Sequence, residues 1–126
     1  MSGSRVHSFR DLVVWERAFE LCLATYRMSQ QLPSDERFGL TQELRKTARS
    51  VVYNIAEGHR RSRTLEFVRF IDIARGSAAE LQTQFLLCQR LSFGDPLTVS
   101  TLLQGLDEVE RMLASLKRNL LSQRVP

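Results

Sequence analysis

Apolar residues return every three or four positions through most of the chain, in four stretches separated by turn signals. In the first, about residues 11–31, Leu12, Trp15, Phe19, Cys22 and Tyr26 share one face, and Ala18, Leu21, Thr25 and Met28 widen it. Glu16, Arg17, Glu20 and Arg27 lie on the polar side, and Leu32-Pro33 ends the pattern, because the residue before proline is driven out of the α region. The second stretch, about 39–58, carries the stripe Leu40, Leu44, Ala48, Val51 and Ile55, with Gly58 expected as the left-handed residue just past its end. The third, about 64–92, is expected to be capped by Thr64 and to bury Phe67, Phe70, Ile71, Ala74, Ala78, Leu81, Phe85 and Cys88. Gly94 is expected to stop it, Asp95 to cap the fourth and Pro96 to stand first in it. Val99, Leu102, Leu103, Leu106, Val109, Leu113, Leu116 and Leu120 then line the fourth stretch, about 96–121, and both chain ends read as flexible tails.

Four long amphipathic helices joined by short connections predict an all-α fold, an antiparallel up-down-up-down four-helix bundle forming one domain over residues 1–126. With 43% hydrophobic and 25% charged residues the composition is globular, and only six glycines and three prolines argue against an all-β fold. No apolar run approaches the roughly 20 residues of a membrane span, and the first residues lack the apolar stretch of a signal peptide. A cytoplasmic location is the expectation.

Chemistry is sparse. The two cysteines, Cys22 and Cys88, have no C-x-x-C partner and no neighbouring histidine, so they read as buried thiols rather than metal ligands. The two histidines fall at His7, in a tail, and His59, in a basic connection. No H-E-x-x-H, Glu-x-x-His or glycine-rich phosphate loop occurs. Glu57 and Glu80 are candidates for a carboxylate pair, but such residues more often form salt bridges. The expectation is a protein that is not an enzyme and holds no metal or cofactor.

Charge and surplus apolar surface say more. Residues 37–75 hold nine Lys+Arg and four Asp+Glu, a net of +5, whereas residues 1–36 give −1 and residues 76–126 give zero. Opposite the core stripe of the second helix fall Gln42, Arg45, Lys46, Arg49 and Tyr53, followed by Arg60 and Arg61 in the connection. Arg45, Lys46, Arg49, Tyr53, Arg60 and Arg61 are thus candidates for nucleic-acid binding, with Tyr53 a possible stacking ring. A solvated face that keeps the protein soluble accounts for the same residues. On the third helix Ile73, Gly76 and Leu87 lie away from the core stripe, with Ala79 and Leu86 on its flank, and Val52 and Ala56 lie off the core face of the second. Val52, Ala56, Ile73, Gly76 and Leu87 are candidates for an oligomer interface, since a glycine inside a helix costs about 1 kcal/mol against alanine and needs a packing reason. Scattered apolar surface residues are the alternative.

Several motifs read together: Phe9-x-x-Leu12-x-x-Trp15-x-x-Ala18, Pro33-x-x-Glu36-x-Phe38-Gly39-Leu40-Thr41-Gln42, Arg45-x-x-Ala48-x-Ser50-Val51, Asn54-Ile55-Ala56-Glu57-Gly58 and Ala74-Arg75-Gly76-Ser77-Ala78-x-Glu80-Leu81. From Phe9 to about Leu120 the chain resembles the four-helix-bundle proteins first noticed as encoded within intervening sequences of bacterial 23S rRNA genes. The resemblance implies a bacterial cytoplasmic bundle that assembles as a homopentamer. A more distant similarity, to the accessory variability protein of diversity-generating retroelements, implies binding of RNA or DNA and a reverse transcriptase as protein partner. Lys46 and Thr47 depart from the family's usual arginine and alanine, which keeps the charge at Lys46 and loses bidentate recognition there. Gly76 and Ser77 are expected to admit close helix approach, and Asn54 and Glu57 to hydrogen-bond Ser77 or backbone groups. The reading this supports is a homo-oligomeric bundle that binds nucleic acid through its basic surface; the other is a purely structural or protein-interaction oligomer.

Overall fold

The computed structural model describes residues 9–123; the expected tails, His7 among them, lie outside the described residues. Four helices follow one another: α1 (Val13–Ser29), α2 (Leu40–His59), α3 (Thr64–Leu91) and α4 (Pro96–Ser122). Short 3-10 turns at Phe9–Asp11 and Ser34–Glu36 precede α1 and α2. The register between neighbours runs in opposite directions at every seam. Arg45 and Arg49 of α2 reach back to Ser29 and Tyr26 of α1. Thr47 and Ser50 of α2 meet Gln84 and Ser77 of α3. Asp72 and Arg75 of α3 pair with Lys117 and Glu110 of α4, and Arg17 of α1 pairs with Glu108 of α4 while Gln31 reaches Asp95. Among the described residues the diagonal pairs α1/α3 and α2/α4 make no backbone contact, so the four helices stand as the corners of an antiparallel square.

Buried side chains from all four helices, with Leu44, Ile55, Ile71, Leu81, Phe85 and Leu113 fully enclosed, form one core. The expected α2 stripe, Leu40 to Ile55, is buried throughout. The α1 stripe is not the one expected. Val14, Ala18, Leu21, Cys22, Thr25 and Met28 face inward, and Phe19 is 40% exposed. The small and medium residues fit the crowded interior, whereas Trp15 and Phe19 stack on each other at the flank, 4.9 Å apart, with Phe9 edge-on to Trp15. Thr25 is tolerated inside because its hydroxyl donates to the Leu21 carbonyl at 2.8 Å. Phe67 and Phe70 are half-buried, and Val68 takes an inward place on α3 instead.

Three helix ends differ from expectation. Gly58 is not a left-handed terminator: α2 runs on to His59, and Gly58 is buried in it. A Cβ at Gly58 would stand 2.8 Å from Phe70 Cβ and 2.9 Å from Phe67 Cδ1, so this glycine is a point of close α2/α3 approach. Thr64 is inside α3, and Arg63 holds the extended cap position with no side-chain cap bond. At the far end of α3, Ser92 rather than Gly94 takes the left-handed turn that ends the helix (φ +58°), and the Phe93 and Ser92 amides donate to the Cys88 and Gln89 carbonyls. Gly94, also left-handed at φ +76°, turns the chain over Met28 of α1. Asp95 caps α4 as expected, accepting from the Thr98 amide at 2.9 Å, with Pro96 first in the helix. The α2 N-terminus is capped from the preceding turn by Glu36, which accepts from the Leu40 amide at 3.0 Å. No helix among the described residues is long and apolar enough to cross a membrane.

Candidate functional site

The α1/α2 seam holds the densest grouping of cations and aromatic rings. Because the two helices run antiparallel, successive turns of α2 bring Arg45 and Arg49 across to Ser29 and Tyr26. Arg45 donates through Nε to Ser29 Oγ at 2.8 Å, and its guanidinium lies over the Tyr26 ring, 5.2 Å from the centroid. Arg49 donates to Tyr26 Oη at 2.6 Å. Ser29 is fixed in turn by donating to the Tyr26 carbonyl. Near the connecting turn, Arg37 stacks on Phe38 at 4.7 Å, and Phe38 is 79% exposed. Tyr26, Arg37, Phe38, Gln42, Arg45 and Arg49 line a groove with a volume of about 330 Å³ and no carboxylate in its walls.

The six sequence-predicted residues do not form one stripe. Arg45 and Arg49 lean toward α1, as above. Lys46 leans the other way, into a polar groove between α2 and α3 shared with Glu43, Thr47, Ser50, Glu80 and Gln84. Tyr53 is exposed but stands beyond the Arg49–Tyr26 bond, in an apolar groove with Phe19, Cys22, Leu23 and Val52, rimmed by Arg27 and Arg49. Arg60 is exposed at the end of α2. Arg61 pairs with Glu57 at 2.6 Å and lies over Phe70, so its charge is locally compensated. Tyr26, Arg37 and Phe38 were missed by the sequence pattern. Tyr26 reads as a core residue by its spacing, and Arg37-Phe38 as part of a turn. An aromatic beside an arginine in an otherwise polar connection was the one available signal.

Of the predicted interface residues, Val52 belongs to the core at 7% exposure and Ala56 is half-buried; position 52 turns toward α1 rather than solvent. Ile73 and Leu87 are exposed, and nothing in the chain lies within 4 Å of where a Gly76 Cβ would be. Gly76 therefore does not admit a close approach within the subunit. That role belongs to Gly58, while Ser77 shares a 2.7 Å hydrogen bond with Ser50. Asn54 donates to the Ser50 carbonyl and hydroxyl and reaches Ser77 only through it, and Glu57 is turned to Arg61 instead.

Glu57 and Glu80 are not a catalytic pair: Gly58 packs on Phe67 and Phe70, whereas Glu80 lines a groove beside Thr47 and Ser50, about two turns further along α2. His59 stands edge-on to Phe67. Cys22 and Cys88 are both buried and free. Burial pushes the Cys22 thiol up against the opposing pull of Arg49, and pushes Cys88 up to about 11. No group of three or more His, Cys, Asp or Glu among the described residues could hold a metal ion.

A crystal structure of a protein of unknown function from the S23 ribosomal protein family of Bacteroides thetaiotaomicron VPI-5482 superposes on this bundle with a TM-score of 0.77. The two are 18% identical, over 83% of this chain and 98% of that one, a likeness of fold. No curated protein is significantly similar in sequence. The 23S rRNA-intervening sequence protein family model matches residues 10–115, all of α1 to α3 and most of α4, including the Asn54–Gly58 and Ala74–Leu81 motifs, and the chain belongs to that family.

Proposed function

We propose that this protein is a non-enzymatic, cytoplasmic homo-oligomer that binds single-stranded RNA through the groove of Tyr26, Arg37, Phe38, Gln42, Arg45 and Arg49. The observation that carries this reading is the way two of its guanidiniums are held. Arg45 and Arg49 are oriented by neutral oxygens, Ser29 Oγ and Tyr26 Oη, and no carboxylate lines the groove. A carboxylate partner would cancel their charge; a hydroxyl fixes the geometry and leaves the charge for a phosphate. Phe38, the most exposed large apolar side chain among the described residues, supplies a ring face for a base, and Arg37 beside it another cation. Lys46, Arg60 and Arg61 add to the field around the groove without lining it. No element that enters a duplex groove to read base edges is present, so phosphate and stacking contacts dominate.

The homo-oligomer follows from α3, whose outward side carries the exposed Ile73 and Leu87 around the open Gly76. A count of five rests on the family resemblance alone. Repetition of the groove around an assembly raises affinity through avidity.

The test is titration of a labelled single-stranded RNA at two salt concentrations against the parent and an Arg37→Glu, Arg45→Glu, Arg49→Glu variant, checked for unchanged helicity. Three phosphates contacted per groove give a log–log salt slope of about −2. Equal binding by the variant, or none by the parent, sinks the reading and leaves the basic face as a solvated or protein-binding surface.

A further inference from the structure

The outer side of α3 is apolar over its whole length and has nothing against it. Leu65, Ile73, Leu87 and Leu91 are 40% exposed or more. Ile73, Gly76, Glu80 and Leu87 recur at spacings of three, four and seven, which is one helix face. Gly76 sits in its middle as a hole, with no atom within 4 Å of a Cβ built there. The α1/α2 seam carries the matching projections: Tyr53 is 61% exposed, with Phe19 and Leu23 beside it, over the floor of Val52 and Cys22.

The charges are divided in the same way. Arg17, Asp72, Arg75, Asp107, Glu108, Glu110, Arg111 and Lys117 are all joined in ion pairs that involve α4. By contrast, Arg27 and Arg49 on the rim of the α1/α2 groove and Glu80 on the α3 face have no ion-pair partner among the described residues. One face offers an unpaired anion, and the other offers unpaired cations.

The heights of these groups also agree. Ser50 is level with Ser77, and Thr47 with Gln84. Carried along the antiparallel pair, those two registers place Tyr53 level with residues 74–78, Ala56 with 71–75 and Arg49 with 78–82. The brackets centre on Gly76, Ile73 and Glu80. A copy related by rotation about an axis along the bundle keeps its residues at their own heights, so its Gly76 arrives opposite Tyr53 and its Glu80 opposite Arg49. We infer that the outer face of α3 docks into the α1/α2 groove of a second copy, with Tyr53 seated over Gly76 and Arg49 paired with Glu80. The inference rests on the homo-oligomer reading above and supplies its contact. The two faces are different patches, so the association is head-to-tail and closes only as a ring. The seam is oblique to the outward side of α3, which curves the array. Phe38 lies fifteen residues from Tyr53, roughly 22 Å along α2, beyond the point where crossing helices have diverged.

Two variants test this. Tyr53→Glu spoils the groove and leaves the α3 face; Gly76→Leu fills the hole and leaves the groove. Both positions face solvent in the subunit, so both variants fold, as helicity and melting will show. By native mass spectrometry at micromolar concentration, the parent is expected as an assembly of three or more copies and each variant alone as a monomer. Mixed, they are expected to give a one-to-one dimer that grows no further, because each brings the face the other lacks. If the parent assembles and either variant assembles equally well, the pairing is wrong while the oligomer reading stands. If the variants are monomers and their mixture makes no dimer, the head-to-tail pairing is wrong. A monomeric parent overturns both.

Discussion

Arg49 donates to the phenol oxygen of Tyr26 at 2.6 Å, across the α1/α2 seam, at the boundary between the basic groove and the apolar one. The bond orients a guanidinium without neutralising it. Tyr26→Phe keeps the ring under Arg45 and removes only this acceptor. RNA affinity is expected to fall on the order of fivefold, about 1 kcal/mol, with oligomer size and helicity unchanged. Fluorescence anisotropy at low salt measures it, and unaltered affinity would mean that the Arg49 geometry has no part in binding.

Alanine at the two α2 and α3 glycines is expected to act with opposite signs. At Gly58 the new methyl meets Phe70 and Phe67 below 3.0 Å, and the overpacking, about 1–3 kcal/mol, exceeds the roughly 1 kcal/mol gained in helix propensity. At Gly76 nothing is met, so propensity alone acts and the isolated subunit gains up to about 1 kcal/mol. Urea midpoints, measured at a concentration where both are monomeric, decide the signs.

Ser77 shares its hydroxyl hydrogen bond with Ser50, which also accepts from Asn54. Ser77→Ala is expected to destabilise by about 1 kcal/mol, since Ser50 retains Asn54 as a neighbour and only one bond is lost. Chemical denaturation with an unchanged m-value would support this; a loss above about 3 kcal/mol would show that the Asn54 chain collapses with it.

Cys88 is fully buried, and burial raises its thiol from an ordinary 9.0 to about 11. The folded state then holds the proton more tightly than the unfolded one, so this contribution to stability is complete below pH 9 and is lost as pH rises from 9 to 11. The loss is at most about 1.4 kcal/mol per pH unit. Replacing Cys88 with alanine should flatten the alkaline limb of the stability curve. At neutral pH a bulky thiol reagent is expected to label neither cysteine before the bundle opens.

The helix count and the α2 stripe from Leu40 to Ile55 were legible because a 3.6-residue repeat states which side of a helix is apolar, whatever that side meets. The repeat does not say where on a broad apolar arc the centre lies. That is why Phe19 was expected inside and Val14 was overlooked: on α1 the inward line was chosen by the space between α2 and α4, which admits Ala18 and Thr25 more readily than an aromatic ring. Gly58 and Gly76 show the same division. Both are glycines late in or within a helical pattern, and only the neighbouring helix distinguishes one pressed against Phe70 from one facing open space.

For the candidate site, sequence by itself determined that the positive excess lies between residues 37 and 75 and that the family motifs run through α2 and α3, because charge and residue order are properties of the chain. The tertiary structure decided which cations act together. Arg45 and Lys46 are neighbours in sequence, yet a 100° turn sends one to Ser29 and Tyr26 and the other toward Glu80. Arg37 and Phe38 join Arg45 and Arg49 only because α1 returns alongside α2 in antiparallel register. A groove is a relation between two helices, and a periodic pattern read along either helix contains no term for the other.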